Sequence, residues 1–423
     1  MIPEDWTLEE ANGLCSQISV GIVVRPAQYY VEEGSGVRTF RSANVGEGFV
    51  KDRDWIYISA EGHRLNQKSA LKSGDVLVVR TGYPGTACVV SDEFSGSNCI
   101  DIIFARPIND RITSGFLCLF TNSEYGKKQV LDGQGGMAQQ HFNVGAFKEL
   151  LIPLPPLIEQ RRIARFLDGW DVAIETREKL VAAKQRRLDW IRLRVLTGAS
   201  RLSGHTKPWK TSALAEVLTE HGEASTGKEE VYSVSVHLGL VNQIEHLGRS
   251  FAADSTAHYN RVNPGDIVYT KSPTGQFPLG IIKQSKVDKA VIVSPLYGVF
   301  APATRALGTV VDALLASPSA AARLLAPVVQ KGAKNTIAVT NRNFLQAKLF
   351  LPTDEKEIEA LCDLVEAAQA ELKVHRDELN LLRREKRGLM QKLLTGDWRV
   401  PEGVDRLIPN SDVAVKLAKE VRA

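Results

Sequence analysis

Apolar residues fall into two regimes along this chain. In two long stretches they recur every three or four positions; elsewhere they form short β-branched runs broken by glycine, proline, serine and aspartate. The first long stretch spans residues 153–198. Pro153, Pro155 and Pro156 block a helix, Glu159 follows, and only Gly169 interrupts the next ~40 positions, which is a start signal followed by one long helix. Its apolar positions are Ile163, Leu167, Trp170, Ile174, Val181, Leu188, Ile191 and Val195. The spacing alternates four and three when Arg177 and Lys184 fill two polar slots, which predicts a heptad seam. The second stretch, residues 352–396, repeats this with Ile358, Leu361, Val365, Ala368, Leu372, His375, Leu379, Leu382, Lys386, Leu389 and Leu393. Both stretches end in Leu-Thr-Gly, at Gly198 and Gly396, and glycine just past a helix end is a stop signal. The endings are 198 residues apart (396 − 198). Helices of about 40 residues are about 60 Å long. Each alone exposes its seam, so they are expected to pair, and the second must run antiparallel to the first.

The remaining residues form two stretches with one grammar. Residues 18–24, 76–80, 87–90 and 100–104 read as strands in the first, with a helix at 122–131 and a loop at 132–136. Residues 231–236, 266–271, 280–283 and 291–294 read as strands in the second, with helices at 304–317 and 320–330. Residues 72–80 (KSGDVLVVR) match 263–271 (NPGDIVYTK), each a turn, a strand and a cation. Trp6 and Trp209 sit at matching starts. The expected fold is α+β: two similar mixed α/β recognition domains separated by a pair of long antiparallel coiled-coil helices, a dumbbell with pseudo-two-fold symmetry. The expected boundaries are 1–151 and 201–350 for the domains, 152–200 and 351–400 for the helices, and 401–423 for a tail.

Composition narrows this little. The 423 residues, 24% charged and 43% hydrophobic, are those of a soluble globular protein. A net charge of +4 is compatible with nucleic acid and does not demand it. The five cysteines are scattered without C-x-x-C spacing, which points to reduced thiols and a cytoplasmic location. The acidic start, MIPEDWTLEE, is not a signal peptide, and residues 301–330 carry too many charges and prolines to span a membrane. Motifs for phosphate loops, zinc proteases and nucleophile elbows are absent, as is the Asn/Asp-Pro-Pro-aromatic stretch of an amino-methyltransferase. The eight histidines form no metal-ligand spacing; His375 reads as a register-setting polar residue on the seam.

Recognition is the better-supported theme. Two unlike heads about 60 Å apart span slightly less than two DNA turns of roughly 34 Å each. Cations and hydroxyls collect where loops leave strands: Arg80, Thr81 and Tyr83 in the first domain, Lys271, Ser272 and Thr274 in the second. Arg38, Arg41, Lys51, Arg53, His63, Arg64, His237 and Arg261 complete the candidate nucleic-acid contacts, because such side chains either position on phosphate or read base edges.

With residues 152–168 reading IPLPPLIEQRRIARFLD, this order resembles the specificity subunit of type I restriction–modification enzymes, in which a P-L-P-P-L-x-E-Q segment opens each long helix. FRSANVGEG at 40–48, and the strand 74–80 followed by TGYPG, are similar to that family too. The resemblance implies a non-catalytic chain that binds double-stranded DNA, one half-site per domain. It implies two methyltransferase subunits docked on the helices, near Pro155, Pro156, Glu159, Gln160 and Arg162, with a motor/nuclease subunit joining them. It also implies no cofactor in this chain, S-adenosylmethionine and ATP with Mg belonging to the partners, and no membrane. The second repeat departs from the pattern: LPTDEK at 351–356 replaces the proline-rich opening, and the Glu-Gln pair is read as missing. A coiled-coil scaffold without DNA specificity, and an enzyme in its own right, are the alternatives.

Overall fold

The computed structural model describes residues 2–132, 142–247, 256–331 and 337–403. It comprises two compact units. One is Met1–Glu178 with Glu378–Ala423, the other Lys179–Asp377, so each long helix contributes to both.

The first unit is built on a four-stranded antiparallel sheet, in the order Cys15–Val20, Ile102–Pro107, Val76–Val79, Ala87–Val89. All four residues of Val76–Val79 are buried, as an unbroken apolar run with both faces covered should be. Val76 and Val78 face a core containing Phe116, Leu117 and Phe120 of the helix Ser114–Asn122. Leu77 and Val79 face Phe40, Phe94 and Phe104 on the other side. A second sheet joins Tyr30–Val31, Ile56–Ile58, Val37–Phe40 and Asn98–Cys99, the last pair parallel. Thr7–Glu10 pairs antiparallel with Leu151–Leu154, tying the chain start to the proline segment.

The second unit has the same sheet order: Leu218–Glu220, Gly298–Pro302, Ile267–Tyr269, Ile282–Gln284. Lys210–Ala213 pairs with Lys348–Leu351 just as Thr7–Glu10 pairs with Leu151–Leu154. Ile267 and Tyr269 face one core and Val268 another, repeating the period-two alternation. A hairpin, Tyr232–Ser235 with Gly239–Asn242, is added. The helices Arg305–Leu314 and Pro318–Leu325 supply Leu307, Val310, Val311 and Leu325 to the core. Among the described residues no single helix is long and apolar enough to cross a membrane.

The first long helix is Leu157–Trp190 and continues as a wide π-turn, Ile191–Val195; the second is Glu355–Thr395. They pair within each unit. In the first unit Ile163 and Leu167 share a core with Met390, Leu393 and Leu394. Lys386–Asp171 (2.5 Å), Arg383–Glu178 (2.6 Å) and Arg177–Glu378 (2.7 Å) flank the seam. In the second unit Leu188, Ile191 and Val195 meet Leu361, Val365, Ala368 and Leu372, flanked by Lys184–Glu371 and Arg376–Gln185. Rising numbers on one helix meet falling numbers on the other, so the pairing is antiparallel in both units.

The helix expected at 122–131 is Glu124–Asp132, and an unexpected helix, Ser114–Asn122, precedes it; the helix expected at 320–330 is Pro318–Leu325, and the strand expected at 18–24 is Cys15–Val20. Ser123 is extended between them, and its hydroxyl accepts from Gly126 N (3.0 Å) to start the second. Gly126 packs so close to the Phe120 carbonyl that a Cβ would sit 2.1 Å from it, so this junction needs glycine. Of the expected loop at 132–136, residues 133–136 lie outside the described residues.

Candidate nucleic-acid interface

The matching turns at 72–75 and 263–266 close the same way. Gly74 and Gly265 take left-handed backbone (φ 87° and 90°). The Asp75 carboxylate accepts from Lys72 N (2.8 Å), and Asp266 accepts from Asn263 N (2.7 Å). Both aspartates are buried, and each needs a partner. Arg106 grips Asp75 through Nε and Nη2 (both 2.8 Å). His221 Nε2 faces Asp266 at 3.0 Å, while its Nδ1 accepts from Glu223 N (3.1 Å). Burial pushes the Asp266 carboxyl up despite the opposing bonds from Asn263 and His221.

From these turns the strands run into the loops singled out by sequence. Arg80 donates to Asp101 (2.6 Å) and to the Phe142 carbonyl (3.1 Å), with its side chain 17% exposed. It braces the loop from inside. Thr81 is exposed, and Tyr83, 82% exposed, stands at the loop's surface. Lys271 sits at the corresponding exit with φ 58°, and burial lowers its amine's pKa against the opposing field of Glu220. The Ser272 carbonyl accepts from Thr274 Oγ1 (3.3 Å), and Thr274 and Phe277 exchange backbone hydrogen bonds (2.9–3.0 Å). Ser272 and Thr274 are exposed.

The other candidates divide in the same manner. Arg38 lies over Trp55 (5.1 Å) and Phe94 (5.5 Å). Arg41 donates to the Asp54 carbonyl (2.7 Å), and His63 Nδ1 faces the Asn98 amide (3.2 Å). Lys51 is half-buried, whereas Arg53 and Arg64 are exposed. Buried Asn44 organises this surface: it accepts from Arg41 N (3.1 Å) and donates to the Arg53 carbonyl (2.8 Å). In the second unit His237 is exposed at the tip of the hairpin beside Leu238, and Arg261 is held by Glu229 (3.4 Å) and Glu223 (3.7 Å). Apart from Arg64, which lies in the helix Ala60–Leu65, the exposed groups sit on loops, and the part-buried cations shape those loops.

The helix-start residues turn inward. Pro155 is buried; the Pro156 carbonyl accepts from Glu159 N (2.8 Å) and Gln160 N (3.0 Å) to begin the helix. The Gln160 amide accepts from Thr113 N (2.8 Å) and donates to the carbonyls of Arg111 and Pro155 (2.9 Å each). Glu159 accepts from Trp6 Nε1 (3.1 Å) and faces Arg399 (3.4 Å). Arg162 lies 4.0 Å from Glu402. Pro156, Ile158 and Arg161 are exposed at this start.

Shifting by 198 residues places Glu159 on Glu357 and Arg399 on Arg201. Glu357 is fully buried and is gripped by Arg201 through Nε (3.1 Å) and Nη2 (2.5 Å). The reading that the second repeat lacks the Glu-Gln pair is therefore corrected. Its glutamate is present and clamped like Glu159, and only the glutamine is replaced, by Ile358. The clamp arginines follow three residues after each Leu-Thr-Gly, a signal present in the sequence and missed. The two glycines match as well: Gly198 (φ 76°) packs on Trp209 and Phe350, and Gly396 (φ 79°) on Pro3 and Trp6. Among the described residues no group of three His, Cys, Asp or Glu is placed to hold a metal ion.

Comparison with known proteins follows this geometry. The family model described as type I restriction modification DNA specificity domain matches residues 39–184. A putative type I restriction enzyme MjaX specificity subunit from Methanocaldococcus jannaschii is 21% identical, covering 94% of this chain and 95% of that protein. The type I restriction enzyme EcoBI specificity subunit from Escherichia coli is 23% identical over 54% of this chain and 50% of its own length. The type I restriction–modification S subunit from M. genitalium shares the fold with TM-score 0.55 at 14% identity, over 93% of this chain and 96% of that one. A chain from a structure addressing complex assembly and conformational transition of a type I system shares it with TM-score 0.57 at 15% identity, over 94% and 100%.

Proposed function

From the match of residues 39–184 to the type I restriction modification DNA specificity domain and the similarity of nearly the whole chain to a specificity subunit, we propose that this chain belongs to that family and is the sequence-reading subunit of such a complex. Each unit reads one half of a split, asymmetric target in double-stranded DNA. The long helices receive two methyltransferase subunits, and a motor/nuclease subunit joins that assembly. S-adenosylmethionine and ATP with Mg act in those partners, and this chain makes no bond itself.

The observation that carries this reading is a duplicated strand-exit platform bearing unlike loops. The sheet order, the Gly-Asp turn and the helix-end clamp recur in both units. The loops that leave the platforms, 80–85 and 271–275, share almost no residues. Two equal scaffolds with different tips suit two different half-sites. Exposed Arg53 and Arg64 suit phosphate, giving salt-dependent affinity, while Thr81, Tyr83, Ser272, Thr274 and His237 suit base edges.

Co-expression with the cognate methyltransferase, followed by genome-wide mapping of methylated adenines, tests this. The expected result is one bipartite motif with a fixed gap. Inserting a heptad into both long helices should lengthen the gap and leave each half unchanged. A contiguous motif, or methylation without this chain, would overturn the reading.

A further inference from the structure

The first long helix ends differently from the second. Residues Ile191–Val195 form a wide π-turn, whereas the second helix stays α-helical to Thr395. Such turns are rare and concentrate at functional sites. At the 198-residue shift, Asp189, Arg192 and Leu193 correspond to Arg387, Met390 and Gln391, so the chemistry differs too. Trp190 and Leu193, three positions apart and hence on one helix face, are 53% and 65% exposed.

Beside Leu193, within the second unit, opens a groove of about 450 Å³. Leu314, Leu315, Leu324 and Leu349 line it. A dry cavity of about 150 Å³ holds a benzene-sized group, so this one has room for about three apolar side chains. Arg192, Arg323 and Lys348 line it as well, against one acid, Asp189. Asp189 is already paired with Arg192 (3.2 Å). Arg192 Nε is buried with no hydrogen-bond partner among the described residues, and there Arg323 and Lys348 have no ion-pair partner. The groove thus has an apolar floor and a net positive edge. DNA matches the edge and not the floor. An amphipathic helix with apolar anchors at i, i+3 and i+4, bordered by carboxylates, matches both.

We infer that this groove seats an acidic amphipathic helix of a partner subunit, once per chain, because the first unit has different residues at the corresponding positions. The inference rests on the proposed function for the existence of partner subunits. It adds a docking site apart from the paired-helix seam, on one unit only.

The test uses the full chain assembled with its cognate methyltransferase and motor/nuclease subunits. A photo-crosslinking residue at position 193 is irradiated in the assembled complex and the attached peptide identified by mass spectrometry. One peptide from one partner subunit is expected, amphipathic and with at least two carboxylates beside its apolar face. Leu193→Glu, and separately Arg323→Glu with Lys348→Glu, should each weaken that subunit's binding at least tenfold. Replacing the peptide's carboxylates by lysine should restore binding to the charge-reversed chain. These positions are exposed, so melting should stay at the wild-type value. A crosslink to DNA, to a second copy of this chain or to a non-acidic peptide would overturn the inference. So would an assembled complex with no crosslink, or unchanged affinity in both variants. The wild-type methylation map separates the two proposals: without a bipartite motif the functional reading fails, whatever is crosslinked in the groove.

Discussion

Replacing Arg201 by methionine should damage the second unit far more than Arg399→Met damages the first, although the two arginines occupy equivalent positions. Glu357 is fully buried, and its only hydrogen bonds among the described residues come from Arg201. Removing one partner of a buried ion pair costs roughly 3–5 kcal/mol, because the other charge stays buried and unpaired. Two features reduce this. Arg201 is 29% exposed, so water reaches part of the pair, and Glu357 lies in the first turn of its helix, where the dipole offsets about 0.5–1 kcal/mol. About 2–3 kcal/mol remains, or roughly 4–12 °C in melting for a unit of some 200 residues at about 2–4 °C per kcal/mol. Glu159, by contrast, keeps its bond from Trp6 Nε1, and Arg399 is an exposed arginine shared with Asp5. Arg399→Met should melt close to wild type. Two cooperative units make a single unfolding free energy ambiguous, so hydrogen exchange is the better assay. Amides pairing Lys210–Ala213 with Lys348–Leu351 should lose protection in Arg201→Met, and those pairing Thr7–Glu10 with Leu151–Leu154 should not. Equal losses from the two variants, or a larger one from Arg399→Met, would refute the reasoning.

Burial pushes the Asp312 carboxyl up, outweighing Lys283, Lys286 and Arg192. A folded-state pKa above the unfolded value of about 3.9 means stability is highest below that value and falls as pH climbs through the folded pKa. Asp312→Asn should therefore stabilise the second unit at pH 7 with the gain vanishing near pH 4; a gain in urea melts that ignores pH would contradict this. Burial also pushes Cys15 and Cys88 up to about 12. All five thiols are buried, so iodoacetamide at pH 8 should label them only after denaturation, and rapid native labelling of Cys15 or Cys88 would be inconsistent. Gly396→Ala places a Cβ 2.4 Å from Pro3, whereas Gly198→Ala places one 3.1 Å from Trp209. Both pay about 1–2 kcal/mol for left-handed backbone, and Gly396→Ala should show the larger drop in thermal melts.

The long helices were legible because a heptad seam depends only on local spacing, and their seam residues Ile163, Leu167, Val365 and Leu372 are buried as that spacing requires. The strand Val76–Val79 was legible too, as a short apolar run that follows the Ser73-Gly74-Asp75 turn. Glu357 was missed because the proline punctuation at 153–156 served as the landmark for the second repeat, where it is absent. The shared Leu-Thr-Gly is the better ruler, since it fixes the register from the other end. The loop cations could not be sorted from sequence. Arg80 is engaged by Asp101, 21 residues on, and by Phe142, 62 residues on, while Arg53 stays exposed. Residue type says that a cation is present, and only the fold says whether its charge is already committed.

The clamps explain why the spacer test must alter both helices. In the first unit the start of the first helix, Glu159, meets the segment after the second, Arg399. In the second unit the start of the second helix, Glu357, meets the segment after the first, Arg201. The glycine stops repeat this, Gly396 against Trp6 and Gly198 against Trp209. Each helix therefore has its two ends fixed in different units, and the same two units fix the ends of its partner. Seven residues added to one helix lengthen it by about 10.5 Å and leave the other unchanged. The excess must loop out, or one clamp must open and leave a buried glutamate behind. Seven added to both preserve the heptad register and both clamps. The duplication thus keeps the parts that set length, while the strand-exit loops and the groove beside Leu193 are free to differ. A reader of two unlike half-sites at one fixed gap requires that division: equal struts, unequal tips.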